Sequence, residues 1–210
     1  MNASKRVDFI KNWITDYVQS MPKKASALVV GVSGGIDSAV VSTISSMTGL
    51  KTFVLSMPIK QIKTQDDLSK LHCKWLVSNF KNVSYLNVDL DNVFSSFENA
   101  LGENNSEHAF ANSRARLRMT TLYQVAGSNN GIVVGTGNKV EDFGVGFYTK
   151  YGDGGVDISP IADCTKSQVW EMGEFLEIDH KIINAPPTDG LWVDGRNDED
   201  QLGMTYKELE

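Results

Sequence analysis

The sequence has few of the features that mark membrane-bound or nucleic-acid-binding proteins. No apolar run in its 210 residues approaches the roughly 20 residues that a helix needs to cross a bilayer. The first residues lack the apolar core of a signal peptide, so we expect a cytoplasmic protein. Basic residues number 20 against 26 acidic ones, a formal net charge of −6, whereas proteins that grip a nucleic-acid backbone concentrate Lys and Arg. Neither a membrane nor a nucleic acid is therefore expected as a partner.

Several common motifs of catalytic sites are missing or wrongly placed. The only two cysteines, Cys73 and Cys164, lie far apart with no C-x-x-C pair, which predicts two small buried side chains. Neither G-x-x-x-x-G-K-[ST] nor G-x-G-x-x-G occurs, which excludes the two standard nucleotide-binding loops. A G-x-S-x-G match at 31–35 follows the first predicted strand, whereas the nucleophile elbow of serine hydrolases follows a later strand. A serine hydrolase is therefore not favoured.

Short apolar runs and longer helical patterns alternate along the chain. Buried strands are predicted at 25–33, 52–57, 83–88 and 131–135. Helices are predicted at about 7–19, 36–47, 66–80, 90–101, 107–126 and 165–176. This alternation is typical of βαβ units, so we predict an α/β fold, a parallel sheet covered by helices on both faces, in a single domain over 1–210. The glycine-dense stretch 137–157 is too long for an idle connection and is expected to be functional.

The segment S-G-G-I-D-S at 33–38 lies between the first predicted strand and helix. Its glycines let backbone N–H groups approach an anion, and the N-terminus of the following helix adds unpaired donors. Asp37 would repel a phosphate by itself, so its presence fits a magnesium ion that bridges the carboxylate and the phosphates. The alternative is a plain glycine-rich turn in which Asp37 caps the helix. That alternative explains Asp37 but not the two serines, Ser33 and Ser38.

This loop resembles the pyrophosphate loop of the ATP pyrophosphatases, and three further segments are similar to the ammonia-dependent NAD synthetase family. They are N-S-R-A-R-L-R-M at 112–119, the stretch from G-T-G-N-K-V-E at 135–141 to G-F-Y-T-K-Y-G-D-G-G-V-D at 146–157, and I-S-P-I-A-D-C-T-K at 158–166 with P-P-T-D-G-L-W at 186–192. The resemblance implies a Rossmann-like, adenine nucleotide alpha hydrolase-like fold. It also implies a ligase that amidates deamido-NAD with ammonia through an adenylated carboxylate, giving NAD, AMP and pyrophosphate.

The resemblance further implies roles for particular positions. The ATP-binding positions would be Gly31, Val32, Ser33, Gly34, Gly35, Ile36, Asp37, Ser38, Thr136, Lys166 and Thr188. The positions that contact deamido-NAD would be Arg116, Lys150 and Asp157. Magnesium would be bound by Asp37 and Glu141, and the catalytic positions would be Asp153, as proton acceptor from ammonia, and Lys166, on the phosphates.

The spacing around the second metal position leaves an alternative open. Counting forward from Gly135 selects Glu141, as in the family, whereas counting back from Gly146 selects Asp142, because this chain has one additional residue in between. We favour Glu141, since the glycine-rich residues 143–146 absorb an insertion more easily.

This chain also differs from the family pattern in its length and at its C-terminus. The chain has no space for a glutamine-hydrolysing domain, which predicts free ammonia, or ammonia from a separate protein, as the nitrogen source. It is also shorter than the family pattern and lacks a His-Lys pair that would touch the substrate, so we expect either that a C-terminal tail is missing from this sequence or that dinucleotide binding is weaker or differently built. A homodimer is expected, with the surfaces of the helices at 7–19 and 107–126 as candidates for the interface.

Two other functions compete with this one. A sulfur-transferring, tRNA-modifying ATP pyrophosphatase shares the first loop but would be expected to carry catalytic cysteines and a basic surface. A non-catalytic ATP-binding module of the same sheet type would bind ATP without consuming it. Release of pyrophosphate from ATP would distinguish an enzyme from such a binding module.

Overall fold

A parallel sheet lies at the centre of the computed structural model, which describes residues 1–61, 63–187 and 198–210. The strands are β1 (Ala27–Gly31), β2 (Thr52–Ser56), β3 (Val83–Asn87) and β4 (Gly131–Val133), in the order β3-β2-β1-β4. All neighbours run parallel, and Val29 of β1 is in register with Val133 of β4. The first four residues of β1 are buried, as expected of a strand covered on both faces. The predicted fold class and the four predicted strands are confirmed.

Helices follow the strands in the predicted alternation. They are α1 (Ala3–Ser20), α2 (Ile36–Met47), α3 (Lys63–Asn79), α4 (Asp91–Leu101), α5 (Glu107–Ser128), α6 (Lys166–Phe175), α7 (His180–Ile183), α8 (Asp198–Leu202) and α9 (Tyr206–Leu209). A π-helix, Lys139–Val145, lies in the glycine-dense stretch after β4. Thr165 is the N-cap of α6 and forms a capping box with Gln168.

The two faces of the sheet carry separate apolar layers. On one face, α1, α2, α6 and α7 pack against Leu28 and Val30 of β1. On the other face, α4 and α5 pack against Val29 and Leu55. Both cysteines are buried, as predicted. Within the described ranges, no helix combines the length and the apolar character required to span a bilayer.

The strand order determines where a ligand can bind. The chain builds outward from β1 through β2 to β3 and then returns to the other side of β1 to form β4. In open parallel sheets, such a reversal leaves a crevice at the carboxyl ends of the two strands concerned, and ligands bind there. The loop 33–38 follows β1, and Thr136 follows β4, so both lie at this crevice.

Candidate active site

A cavity of about 410 Å³ occupies the crevice between the ends of β1 and β4. Its wall is formed by the loop after β1, the residues after β4, one side of α5 and part of the stretch 146–156. Among the predicted ATP-binding positions, those that line the cavity are Gly31, Val32, Ser33, Gly35, Ile36, Asp37, Ser38, Thr136 and Lys166. Thr188 lies outside the described residues. The structure thus brings together most of the predicted positions.

The loop after β1 is held in one shape by its own side chains. The Ser38 hydroxyl accepts the Ser33 N–H at 3.1 Å and donates to the Gly35 carbonyl at 3.0 Å. Gly34 has a φ of +97°, and a Cβ there would lie 2.7 Å from the Gln65 carbonyl oxygen of α3. Both features require glycine. The two serines therefore shape the turn, and Gly34 lets it approach α3.

Asp37 lies in the first turn of α2 but does not cap that helix. The N-cap is Gly35, with no side-chain cap hydrogen bond, so the alternative of a capping acid is wrong. Instead, Asp37 Oδ2 lies 2.6 Å from the Lys166 ammonium, and Glu141 Oε1 lies 2.8 Å from the same nitrogen. We call Asp37, Glu141 and Lys166 the lysine cluster. It joins the loop after β1, the π-helix and the first residue of α6.

Burial strengthens the attraction between the Lys166 ammonium and the two carboxylates. The Lys166 side chain is only 3% exposed, and those of Asp37 and Glu141 are 16% and 15% exposed. Burial alone would lower the pKa of Lys166, but the two carboxylates outweigh it and raise that pKa above its ordinary value. Burial likewise acts to raise the pKa of Glu141, but Lys166 outweighs it and lowers that pKa. One ammonium thus faces two carboxylates in a site nearly closed to water.

A lysine at the start of a helix is unfavourable next to the helix dipole unless an anion lies beside it. The structure provides two such anions from the chain itself, Asp37 and Glu141. Two closely placed carboxylates are also the kind of ligand that Mg²⁺ takes from a protein, with phosphates and water completing its shell. No larger group of three or more His, Cys, Asp or Glu side chains suited to a metal ion occurs among the residues described here.

Asn138 ties the two carboxylates together and was not predicted. Its Nδ2 donates to Asp37 Oδ1 at 3.1 Å, and its Oδ1 accepts the N–H groups of Val140 and Glu141, both at 3.0 Å. Its side chain is buried, so the amide fixes the start of the π-helix relative to Asp37. The role of Asn138 could have been predicted from its position after the glycine-rich turn G-T-G, because Asn is common at the N-cap of a helix.

A π-helix occupies the segment in which this chain has one residue more than the family pattern. A π-turn contains more residues than an α-turn, so it takes up an extra residue without breaking the surrounding structure. Glu141 then faces Lys166, whereas Asp142 faces Gly137 and has no ion pair with Lys166. A Cβ on Gly137 would lie 1.9 Å from Asp142 Oδ2, so only glycine leaves room for this carboxylate. This geometry favours Glu141 over Asp142 as the partner of Asp37.

Asp142 lies in a distinctive electrostatic environment. Burial raises its pKa to about 7, and the nearby carboxylates of Asp153, Glu141 and Asp37 add to the rise. Asp142 and Asp153 both line the main cavity and a smaller one beside it. Asp153 Oδ1 accepts the Thr149 N–H at 3.0 Å, which holds the predicted proton acceptor at the cavity wall.

The three predicted substrate positions lie elsewhere. Arg116 and Lys150 are exposed, and Arg116 Nε donates to the Lys150 carbonyl at 3.1 Å. Asp157 accepts the Val133 N–H at 2.7 Å and the Tyr123 hydroxyl at 3.1 Å. Among the described residues that line the main cavity, none of these three occurs. We call Arg116, Lys150 and Asp157 the outer cluster.

Two other side chains near the cavity were missed. Arg118 lines the cavity, and its Nε donates to the Met57 carbonyl at 3.0 Å. Tyr206, from the C-terminal α9, donates a hydrogen bond to Glu141 Oε1. Neither could be found from periodicity, because Arg118 shares its helix with other arginines and Tyr206 lies 65 positions from its partner.

Comparisons with known proteins agree with this geometry. A family model described as NAD synthase matches residues 6–210. The NH(3)-dependent NAD(+) synthetase of Carboxydothermus hydrogenoformans is 38% identical, and the match covers 100% of this chain and 85% of that protein. The protein of the same name from Methanosarcina acetivorans is 36% identical, with 97% and 81% covered.

Two solved structures extend the comparison to three dimensions. The NMN synthetase of Francisella tularensis superposes with a TM-score of 0.91 at 33% identity, and the match covers 100% of this chain and 84% of that one. The NH3-dependent NAD synthetase of Campylobacter jejuni, in complex with nitrate, has a TM-score of 0.77 at 29% identity, with 87% and 77% covered.

Proposed function

The chain belongs to the NAD synthase family, a family of ligases that form a C–N bond, and from this premise we propose the reaction that its site performs. The enzyme converts the nicotinate carboxylate of deamido-NAD into the amide of NAD, with ammonia as nitrogen donor and ATP as energy source. AMP and pyrophosphate are released. The observation that carries the proposal is the lysine cluster, which unites the S-G-G-I-D-S loop with residues after β4 at the crevice of the sheet.

ATP binds with its phosphates at the loop 33–38. The N-terminus of α2 offers backbone N–H groups and the positive end of its dipole, and Ser33 and Ser38 offer hydroxyl groups. Lys166 neutralises phosphate charge from the adjacent α6, and Thr136 contacts the nucleotide from the end of β4. Thr188 is proposed as a further ATP contact.

Magnesium is the proposed metal, held by Asp37 and Glu141. These two carboxylates already share one cation, the Lys166 ammonium, so the site favours positive charge between them. When bound, magnesium would neutralise the charge that develops on the departing pyrophosphate. The protein supplies two ligands to it, and the phosphates and water supply the remainder.

The reaction has two steps, and neither requires a protein nucleophile. A carboxylate oxygen of the substrate attacks the α-phosphorus of ATP, the bond to the β-phosphate oxygen breaks, and pyrophosphate departs into the loop 33–38. Ammonia then attacks the carbonyl carbon of the adenylated carboxylate, and AMP leaves. Asp153 accepts the proton that the attacking nitrogen loses. Positioning and charge neutralisation by Lys166 and the loop amides lower both barriers.

The outer cluster is proposed to bind the substrate outside the ATP cavity. Arg116 and Lys150 present positive charge at an exposed surface, which suits the phosphates of a dinucleotide. Asp157 is held between β4 and α5 by its two hydrogen bonds. A ligand that reaches from the cavity to this surface would pass the stretch 149–157.

Product analysis tests the reaction. Purified protein with ATP, magnesium, deamido-NAD and ammonium should form NAD, AMP and pyrophosphate in equal amounts, and omission of ammonium should abolish NAD formation. Release of ADP and phosphate would contradict cleavage at the α-phosphorus.

A second substrate is favoured by one specific observation. The solved NMN synthetase of Francisella tularensis matches the whole chain with a TM-score of 0.91. The same chemistry on nicotinate mononucleotide would yield NMN, since the reacting carboxylate is unchanged. The ratio of the kcat/KM values for deamido-NAD and nicotinate mononucleotide decides between the two substrates. A preference for the mononucleotide would move the proposal to that substrate and leave the reaction type intact.

A homodimer is proposed as the functional assembly. Helix α1 buries Val7, Ile10, Ile14 and Val18 but leaves Phe9, Trp13 and Tyr17 exposed along one side. Together with the exposed side of α5, this surface is the proposed interface. A monomeric mass in solution with full activity would refute the dimer.

A further inference from the structure

Tyr206 contacts the lysine cluster from the C-terminal helix α9. The tyrosine is 2% exposed, and its hydroxyl donates to Glu141 Oε1, the same oxygen that lies 2.8 Å from Lys166 Nζ. Its ring centroid lies 5.0 Å from that nitrogen, close enough for a cation–π interaction. One neutral side chain therefore contacts both the cation and one of the two carboxylates.

The C-terminal residues are anchored so that Tyr206 is held in this place. The Tyr206 N–H donates to Glu199 Oε1 at 2.9 Å, and Thr205 and Glu208 form a capping box at the start of α9. Glu210 Oε1 accepts the Ser167 N–H at 2.7 Å, directly beside Lys166. The Tyr206 ring also packs edge-on against Trp170, with centroids 5.9 Å apart. These contacts fix α9 to α6, the helix that carries Lys166.

A second donor on Glu141 matters because Lys166 has competing partners. When ATP binds, the phosphates compete with Glu141 for the Lys166 ammonium. A buried carboxylate that loses its hydrogen bonds is costly, and it is free to change rotamer. The phenol of Tyr206 donates to Glu141 without carrying charge, so it does not repel a cation that approaches from the other side.

We propose that Tyr206 is a positioning residue that keeps Glu141 oriented toward the magnesium ion of the ATP complex while Lys166 engages the phosphates. The inference rests on the proposed function, in which Glu141 is a metal ligand. Tyr206 itself touches neither the substrate nor the metal. Its effect passes through the Glu141 carboxylate.

Tyr206→Phe tests the proposal, because it keeps the ring against Lys166 and Trp170 and removes only the hydroxyl. Mn²⁺ binding is measured by electron paramagnetic resonance with ATP present and the second substrate absent. Partners that orient metal ligands typically affect metal affinity by 10–100-fold, so we expect about 10-fold weaker Mn²⁺ binding. The Mg²⁺ concentration for half-maximal amidation should rise by about the same factor, with kcat at saturating Mg²⁺ reduced by less than about threefold.

Two further variants separate the possible outcomes. Glu141→Gln should weaken Mn²⁺ binding by itself, and adding Tyr206→Phe to it should cause no further loss. Trp170→Phe loosens the packing of α9 and should lower the thermal midpoint while Mn²⁺ affinity stays within about twofold of wild type.

Each contrary result has a distinct meaning. Wild-type Mn²⁺ affinity in Tyr206→Phe, with weakened binding in Glu141→Gln, would overturn the inference and leave the proposed function standing. Unchanged binding in Glu141→Gln would remove the metal role of Glu141 and the inference with it. An equal loss in Trp170→Phe would assign the effect to packing and overturn the positioning role.

Discussion

The lysine cluster and the outer cluster both consist of residues that the sequence motifs indicated, yet they differ in how completely the fold assembles them. Lys166 is 3% exposed and lies within 2.8 Å of a carboxylate oxygen from each of two other segments. Arg116 and Lys150 lie at the surface, where the Arg116 side chain donates a hydrogen bond to the Lys150 carbonyl. Buried charges must be paired within the fold, whereas exposed charges are solvated and are stable before a ligand binds. The lysine cluster, the proposed ATP end, is therefore preformed, whereas the outer cluster, the proposed substrate end, is left for a ligand to complete.

The comparison predicts that the largest loss follows from breaking the preformed end. Asp37→Asn removes a proposed metal ligand and one of the two carboxylate charges that face Lys166, so turnover should fall by about 10³-fold, within the range of lost electrostatic stabilisation at active sites. The fold should persist, because Glu141 still pairs with Lys166. Steady-state kinetics and far-ultraviolet circular dichroism measure both effects.

Asp91→Asn is the matched control, since Asp91 also lies in the first turn of a helix, α4, and accepts the Lys60 N–H. It should retain turnover within about twofold of wild type, as expected for a surface change away from the site. Activity of Asp37→Asn within tenfold of wild type would contradict the role of the lysine cluster in catalysis.

The parts of the fold that were predictable are those with a local signal. The run at 27–31 is apolar and ends in glycine, and the helix predicted at 7–19 has Ile10, Ile14 and Val18 at helical spacing, all three of which are buried in α1. The strand order was not predictable from such patterns, because periodicity says which face is buried and not which strand is adjacent. The π-helix was also not predicted, since its extra residue appeared in the sequence only as a count that differed from the family's.

The site was predictable where a motif carried it and not where distant segments meet. The motifs pointed to Asp37, Glu141 and Lys166 separately, but nothing local indicated that all three would share one buried ion pair network. Asn138 and Tyr206 were missed for a related reason. Their role depends on side-chain contacts across the fold, and Asn and Tyr occur at many positions that have no function.

Asp157 differs from the other two residues of the outer cluster, because its carboxylate also joins β4 to α5. Its two oxygens accept hydrogen bonds from Val133 of β4 and Tyr123 of α5. Asp157→Asn replaces an acceptor oxygen with a donor group, so the free energy of unfolding should fall by about 2 kcal/mol, typical of a hydrogen bond to a charged group. Urea denaturation measures it. Unchanged stability would mean that these two hydrogen bonds contribute little to the stability of the fold.

Arg116→Ala tests whether the exposed end serves the substrate specifically. The KM for deamido-NAD should rise by about tenfold, near the lower end for a lost charge-assisted contact, with kcat and the KM for ATP within about twofold of wild type. Lys74→Ala, which removes an exposed cation on α3, is the control and should leave both KM values unchanged. A parallel rise in the KM for ATP would show that the two ends of the site are not independent.

The smallest expected effect concerns Asp142, whose burial next to the lysine cluster should make stability depend on pH. Its pKa is about 7 in the folded protein against 3.8 for an ordinary aspartate, so between these values the folded state holds a proton that the unfolded chain lacks. Stability must then fall as pH rises through this window, by about 1 kcal/mol per pH unit for one group. Asp142→Asn, which cannot titrate, should lose less stability than wild type between pH 5 and pH 6 when both are measured by urea denaturation with EDTA present.

Asp16→Asn, at an exposed position on α1, should keep the wild-type pH dependence. Identical slopes for wild type and Asp142→Asn would mean that water reaches Asp142 freely, and the preformed end of the site would then be confined to the lysine cluster itself.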